Sequence, residues 1–269
     1  MKRAVHWAHA ACWAAQTLAT AHYACTGTRS AAAVLGSVCA ADAIRLAVAF
    51  FYGTKLVPVT ASVAVAGGCA AACGALSYAA LSGVGVASYL PLLSSHVAWD
   101  ALVLCPSPWP TDGRRRAFAI ACAVAAVVCS FGSGSSLGTA CVLTQALLFS
   151  ASCALEGSDG GEAVDGAGAS ACTLWAAMLM FVGCVVGAGP EAVHMDRPPA
   201  ASMLAAVVMA AASGVLRGII ASAEEHAPPS AVLAAFEGAL LLVGAHYMLR
   251  QNIGYRDVAS NVFAVLALV

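Results

Sequence analysis

The sequence predicts an all-α protein, a polytopic transmembrane helix bundle of about nine to ten spans. Three observations carry that expectation: the composition, the spacing of the apolar runs and the placement of the few cations. Of 269 residues, 61% are hydrophobic and 9% charged, with a mean hydropathy of +0.87, against roughly 45–50% apolar and about 25% charged residues in soluble domains. A fold in water has too little interior for that much apolar surface. The natural unit of length is instead the membrane span of about 20 apolar residues.

The first apolar run, residues 4–24, follows Lys2 and Arg3 and so invites comparison with a cleaved signal peptide. It carries His6, His9, His22, Trp7, Trp13 and Gln16, and His22 stands where a cleavage site before Cys25 needs a small residue. An uncleaved first span is expected. Residues 30–52 form the second. Residues 56–105 hold no charge before Asp100, and about fifty residues are twice what one span can use. Two helices share them, with the turn near Ser82-Gly83-Val84-Gly85. Pro91 then lies inside the fourth span and kinks it, tolerable where a neighbouring helix satisfies the freed carbonyl.

Residues 117–131 and 137–155 form a short pair around Gly132-Ser-Gly-Ser-Ser136. Residues 156–168, with four acids and no base, read as a solvated acidic, Gly-rich linker. Three more spans follow, at 169–188, 200–223 and 230–249. The final run, 258–269, has only twelve residues and reads as an incomplete, half-inserted or fragmentary helix. The expected division is therefore six spans in residues 1–155, the linker 156–168, and three full spans plus a short one in 169–269.

Cations favour short cytoplasmic loops. With the N-terminus inside, Lys2, Arg3, Lys55 and the run Arg114, Arg115 and Arg116 are all cytoplasmic and only Arg29 lies outside. The arginine run is a topology anchor, too short for the four to eight cations of a dedicated lipid site. Counting onward places Arg197, Arg250 and Arg256 outside, so the rule works less well in the second half. The net charge of −1 and the lack of any other basic cluster argue against a nucleic-acid partner. The lipid bilayer is the expected partner.

An ionisable group in hydrocarbon costs about 2.5–3.5 kcal/mol on insertion scales, which makes each one a candidate for function. Asp42 and Arg45 lie three apart on one helical face and can neutralise each other. Arg217 and Glu237 stand at similar distances from the turn at 224–229, so an ion pair between adjacent spans is expected. Asp100 has no partner within helical reach and is the better pathway candidate. The pairs can equally act as structural locks between helices. His6, His9 and Trp7, like His246 and Tyr247, suit the membrane surface, where amphipathic rings gather. Gly134-Ser-Ser-Leu-Gly138 and Gly183-Cys-Val-Val-Gly187 have close-packing spacing, although a chain with 25 glycines produces such matches readily.

Twelve cysteines fall mostly inside apolar runs and behave as small hydrophobes. Cys69 and Cys73 share a face but have no nearby His or carboxylate, so no metal site is expected. Phosphate-loop, zinc-protease and Cys-x-x-Cys motifs are missing. Neither Asn252 nor Asn261 opens a glycosylation sequon. No enzyme activity and no cofactor are expected.

Two segments, His6-Trp-Ala-His-Ala-Ala-Cys-Trp-Ala-Ala-Gln-Thr-Leu18 and Ala231-Val-Leu-Ala-Ala-Phe-Glu-Gly-Ala-Leu-Leu-Leu-Val243 with the following Arg250 and Val258-Ala-Ser-Asn-Val-Phe263, carry a likeness. With the six-span first half and the charged interruption at 156–168, the chain resembles the herpesvirus multi-spanning membrane proteins of the unique-long forty-three type, themselves similar to equilibrative nucleoside transporters. The resemblance implies a non-enzymatic accessory protein of virion envelope and host membranes, contacting other envelope or tegument proteins. The alternative is a secondary transporter of a small solute, a nucleoside or a drug or metabolite. A carrier should show an inverted repeat with polar residues converging at mid-membrane. No repeat is evident in the sequence.

Overall fold

The computed structural model describes residues 2–26, 31–52, 60–100, 113–158, 166–188, 201–221 and 230–269, and these are helical throughout their length apart from short turns. The helices are α1 (Lys2–Thr26), α2 (Ala31–Phe51), α3 (Ala61–Gly83), α4 (Val86–Leu93), α5 (His96–Trp99), α6 (Gly113–Ser130), α7 (Ser136–Ser158), α8 (Gly166–Ala188), α9 (Ala201–Ala221), α10 (Ser230–Tyr247) and α11 (Tyr255–Leu266). Six stretches, within α2, α3, α7, α8, α9 and α10, are long and apolar enough to cross a membrane. They mark the chain as an integral membrane protein, in which each backbone N–H and C=O must be satisfied internally. Of the rest, α4, α5 and α11 are only 8, 4 and 12 residues long.

Local chemistry explains the boundaries. The Thr60 hydroxyl accepts from the Val63 N–H at 3.3 Å and caps α3. The chain turns at Val84 and Gly85, within the predicted turn. Gly254 opens α11, where its N–H donates to Asp257 Oδ2 at 2.9 Å, three residues before the expected start. The helices also run further into the acidic linker than expected. α7 continues to Ser158 and α8 begins at Gly166. Residues 159–165 lie outside the described residues, as do Arg29, Lys55, Arg197 and Cys105.

Pro91 acts as predicted. It stands inside α4 and cannot donate to the carbonyl of Ala87, and the helix breaks at Ser94 and Ser95 before α5 resumes. The amide of Asn261 on α11 donates to the freed Ala87 carbonyl at 2.8 Å, and to its own helix at Asp257 O at 2.8 Å. Asn261 is 6% exposed. A side chain thus supplies the donor that proline removed.

Glycines allow the closest approaches. A Cβ on Gly138 would lie 2.8 Å from the Gly83 carbonyl carbon and 2.9 Å from Val84 Cγ2, and one on Gly134 would lie 2.9 Å from Val84 Cα. The Ser135 N–H donates to Gly83 O at 2.7 Å. The Gly134–Gly138 spacing therefore is a contact, clasping the α6–α7 turn to the α3–α4 turn. The Gly183–Gly187 spacing is not, since a Cβ at either position meets nothing within 4 Å.

Contacts between helices also fix their relative directions. Ser152 reaches Ala66 O and Cys73 reaches Gln145 O, so α3 and α7 run antiparallel. Tyr23, Tyr78 and Met203 cluster together, which places the C-terminal ends of α1 and α3 beside the N-terminal end of α9. Ala267 packs with Ala119 and Cys122, so α6 and α11 are antiparallel as well. Gly85 faces Gln251, and this gathers the α3–α4, α6–α7 and α10–α11 turns at one end. Arg114, Arg115 and Arg116 open α6 at the opposite end, the end where α1 begins. Arg250 and Arg256 lie at the turn end, as the sequence count places them.

The pairings follow a rule that the sequence does not show. With α4 and α5 taken as one broken helix, moving helices five places along the chain converts several of the packing pairs into one another, whereas α4 with α11, α1 with α3 and α2 with α3 have no counterpart of comparable extent. The pair α3 with α7 becomes α9 with α1, and these are the two most extensive packings. Likewise α3 with α8 becomes α9 with α2, and α1 with α10 becomes α7 with α4 and α5. The pairs α2 with α8, α6 with α11 and α4 with α10 map onto themselves. Under this correspondence α7 is the counterpart of α1.

Replacing Asn261 with Leu should destabilise the bundle by about 1–3 kcal/mol, the cost of a buried carbonyl left without a donor. Adding Pro91→Ala should recover part of that loss by restoring the helical N–H, read from thermal unfolding in detergent. Protease sites inserted at Ser133 and at Gln251 should be cut from one face of sealed vesicles, and a site at Arg115 from the other.

Candidate functional site

The central feature is a cavity of about 300 Å³ enclosed by α1, α2, α3, α4, α7, α8 and α9. The face of α1 supplies Trp13, Gln16, Thr17 and Thr20, spaced three and four apart so that they share one side of the helix. His6 and His9 continue the same stripe toward the N-terminus. Neither histidine lines the cavity, and Trp7 packs edge-on against Phe236 of α10, with centroids 4.9 Å apart.

At the turn end the cavity is closed. Tyr23, Val34, Tyr78 and Met203 form one cluster there, each at most 9% exposed. At the other end it reaches Arg45 and Arg217. Arg217 is exposed, and the charges of Arg217, His6 and Arg45 all act on His9. The cavity therefore opens toward the end where α1 begins.

Asp42 and Arg45 behave as predicted. Arg45 Nη1 donates to Asp42 Oδ1 at 2.8 Å, and Asp42 is 2% exposed. The sequence did not indicate the second half of the arrangement. Arg45 crosses to α9, where Nε and Nη2 both donate to the Ala210 carbonyl, at 3.2 and 2.6 Å. The guanidinium lies where a Cβ on Gly214 would be, so only glycine fits there. One arginine thus neutralises a buried acid and ties α2 to α9.

The remaining charges separate. Arg217 and Glu237 do not pair, because α9 packs against α1 and α2 whereas α10 packs against α1, α4 and α11. Glu237 is half-buried and makes no ion pair or side-chain hydrogen bond among the described residues. It sits beside Gly238, where a Cβ would approach Asn261 Oδ1 and Leu90. Asp100 caps the end of α5, half-buried. Neither Asp100 nor Glu237 lines the cavity, whereas Asp42 does.

Several polar groups were not singled out in the sequence. The Tyr89 hydroxyl donates to Gln145 Oε1 at 2.9 Å, joining α4 to α7 across a buried wall of the cavity. Thr17, Thr20, Ser37 and Ser77 donate to carbonyls three or four residues earlier in their own helices, at 2.6 to 3.0 Å. Their hydroxyl oxygens remain able to accept hydrogen bonds from a guest. A polar residue every third or fourth position along the first span was the available signal. The described cysteines are free, and no group of three or more His, Cys, Asp and Glu able to hold a metal occurs among the described residues.

Arg45→Met should cost about 3–5 kcal/mol in thermal unfolding, since Asp42 would stay buried without a counter-charge. The double variant Asp42→Asn/Arg45→Met should be clearly more stable than Arg45→Met alone. Gly214→Leu should mimic the loss of the α2–α9 tie by displacing the guanidinium. Neither a family model nor a curated protein matches the chain.

Proposed function

We propose that the chain is a secondary carrier of a small solute, built from ten membrane helices in two halves of five. The observation that carries this reading is the five-place correspondence of helix pairs. Five is an odd number of crossings, so each half enters the membrane in the orientation opposite to the other, the inverted repeat of many secondary transporters. The antiparallel run of α1 beside α9 and of α3 beside α7 fits ten crossings.

Three further features support the reading. Both halves line the cavity. Broken helices recur where transporters bind substrate, and α4 is interrupted just below Tyr89. Access is one-sided: the Tyr23, Val34, Tyr78 and Met203 cluster covers the cavity at the turn end, and the opposite end is open. With the arginine-bearing end cytoplasmic under the positive-inside rule, this is an inward-facing arrangement. Rocking one half against the other about the Arg45–Ala210 tie would exchange the open and closed ends.

The sequence resemblance points instead to an accessory protein of virion envelope and host membranes. That reading rests on the resemblance alone. A protein acting only through contacts with envelope or tegument partners needs neither symmetric helix pairing nor an internal polar cavity, so the carrier reading is preferred.

Reconstituted in liposomes, the protein should mediate counterflow of at least one solute in a panel of labelled amino acids, nucleosides, sugars and organic acids. Thr20→Trp, which fills the cavity, should abolish it. Val186→Trp, at a position 78% exposed on the outer face of α8, should not. Failure of the parent with every solute would remove the carrier reading.

A further inference from the structure

In an inverted repeat each helix of one half has a counterpart running the opposite way, so counterpart residues share one depth only at the centre of the membrane. Gln16 of α1 and Gln145 of α7 do share one. Gln16 stands ten residues before the end of α1 at Thr26, and Gln145 nine residues after the start of α7 at Ser136. Both of those helix ends lie at the turn end of the bundle, so at 1.5 Å per residue each glutamine is about 14–15 Å below it.

The packing repeats around the two residues. Seven places beyond Gln16, Tyr23 clusters with Met203 near the start of α9. Seven places beyond Gln145, Ser152 donates to Ala66 O near the start of α3. Helix α7 is the counterpart of α1, and α3 of α9, so the glutamines occupy equivalent positions in the two halves. Both line the cavity.

Their hydrogen bonding leaves them available to a guest. Gln145 is 9% exposed, and its Oε1 accepts from the Tyr89 hydroxyl at 2.9 Å, which fixes the way the amide faces. Its Nε2 has no partner among the described residues and is not enclosed by protein, so two N–H groups border the cavity. The Gln16 side chain makes no hydrogen bond among the described residues, and its amide offers a donor and an acceptor side by side. Trp13, one turn earlier on the same face, adds an indole N–H to the lining. Thr17 adds a hydroxyl oxygen whose proton is committed to Trp13 O.

The charges that line the cavity are already engaged. Asp42 is bound to Arg45, Arg45 also donates to the Ala210 carbonyl, and Arg217 has an interaction of its own. An ionised guest between the glutamines would meet no free counter-charge among the described lining residues. Leaving water for such a site costs an ion far more than an uncharged polar group.

Building on the carrier reading, we propose that Gln16 and Gln145 are the central binding residues, and that the solute is a small uncharged molecule with an amide-type edge, a carbonyl oxygen beside an N–H group. The carbonyl accepts from Gln145 Nε2, and the N–H donates to Gln16 Oε1. Equivalent residues at the centre let the solute keep one contact with each half while access switches from one face to the other.

The test is thermal unfolding of the purified chain in a neutral detergent with two triads of closely related probes. One is benzamide, benzoate and N,N-dimethylbenzamide, and the other is lactamide, lactate and N,N-dimethyllactamide. At least one of the two primary amides should raise the unfolding midpoint by several degrees, as a ligand of the folded state must. Its carboxylate, which is charged and lacks the N–H, should not, nor should its dimethyl derivative, which keeps only the carbonyl. Gln16→Leu should weaken the amide about tenfold, the loss of one hydrogen bond in a buried site. Tyr89→Phe/Gln145→Leu, which removes both members of the internal pair and strands neither, should weaken it by a similar factor.

A carboxylate or dimethyl derivative that stabilises as well as its amide would overturn the proposal, as would an amide effect that both variants keep or no effect from either amide. If one variant does not fold, the other decides. Counterflow in liposomes separates this site from the reading it rests on. Transport that Gln16→Leu leaves unchanged, of solutes with no amide-type edge, would sink the site and leave the carrier intact. Amide binding lost in the variants, with no counterflow of any solute, would uphold the site and remove the carrier.

Discussion

A carbonyl that loses its helical partner in an apolar medium must find another donor, because no water is at hand to replace it. That constraint governs this structure. It makes the described residues helical almost without exception, and it decides what happens at the few places where a helix is broken or a charge intrudes. At Pro91 the missing N–H is replaced by the amide of Asn261. At Ala210 the carbonyl takes two N–H groups from Arg45. At Pro91 the replacement donor comes from a different helix, and at Ala210, inside the unbroken α9, the carbonyl serves the intruding Arg45 guanidinium, so each arrangement creates a long-range tie. The broken helix α4 is held by α11, and α2 is held to α9.

The same economy shapes the interior. A chain so rich in alanine and glycine cannot rely on large interlocking side chains. Its helices approach closely where no Cβ intervenes, as at Gly83 with Gly138, Gly67 with Cys172 and Gly244 with Leu18. Close approach strengthens dispersion contacts in a setting where the hydrophobic effect contributes little to helix association. The largest side chains then gather where packing must be continuous, in the cluster of Leu18, Leu81, Tyr89, Leu92 and Leu241. The space left among α1, α2, α3, α7 and α9 is polar and is bounded mostly by groups already hydrogen-bonded to the protein. Such a cavity is stable when empty of solute and still has acceptors and amide donors to offer.

On the proposed carrier reading, the partial symmetry gives the cavity its meaning. Two sets of five helices packed in related patterns need not share visible sequence. Each helix only has to present small residues where its counterpart does, and many different runs of Ala, Gly, Ser, Cys and Val meet that requirement. The likeness therefore survives in the pairing of helices after it has faded from the residues. The acidic segment between α7 and α8 draws attention as a boundary, but a solvated connection marks only where the chain leaves the membrane. It does not mark where one structural unit ends.

The amino-acid order by itself determined the helical class, the approximate position of most helices, the kink at Pro91 and the Asp42–Arg45 pair. Each of these depends on neighbours within about one turn or on the running balance of apolar residues, which a linear reading contains. The tertiary structure alone decided that Arg217 and Glu237 stand apart, that Asp100 lies off the cavity, that Asn261 repairs α4, and that Trp13, Gln16 and Thr20 face a shared interior. Those outcomes depend on which helix lies against which. In a bundle of nearly uniform apolar helices, contacts far apart in the chain select that arrangement, and hydropathy leaves it open.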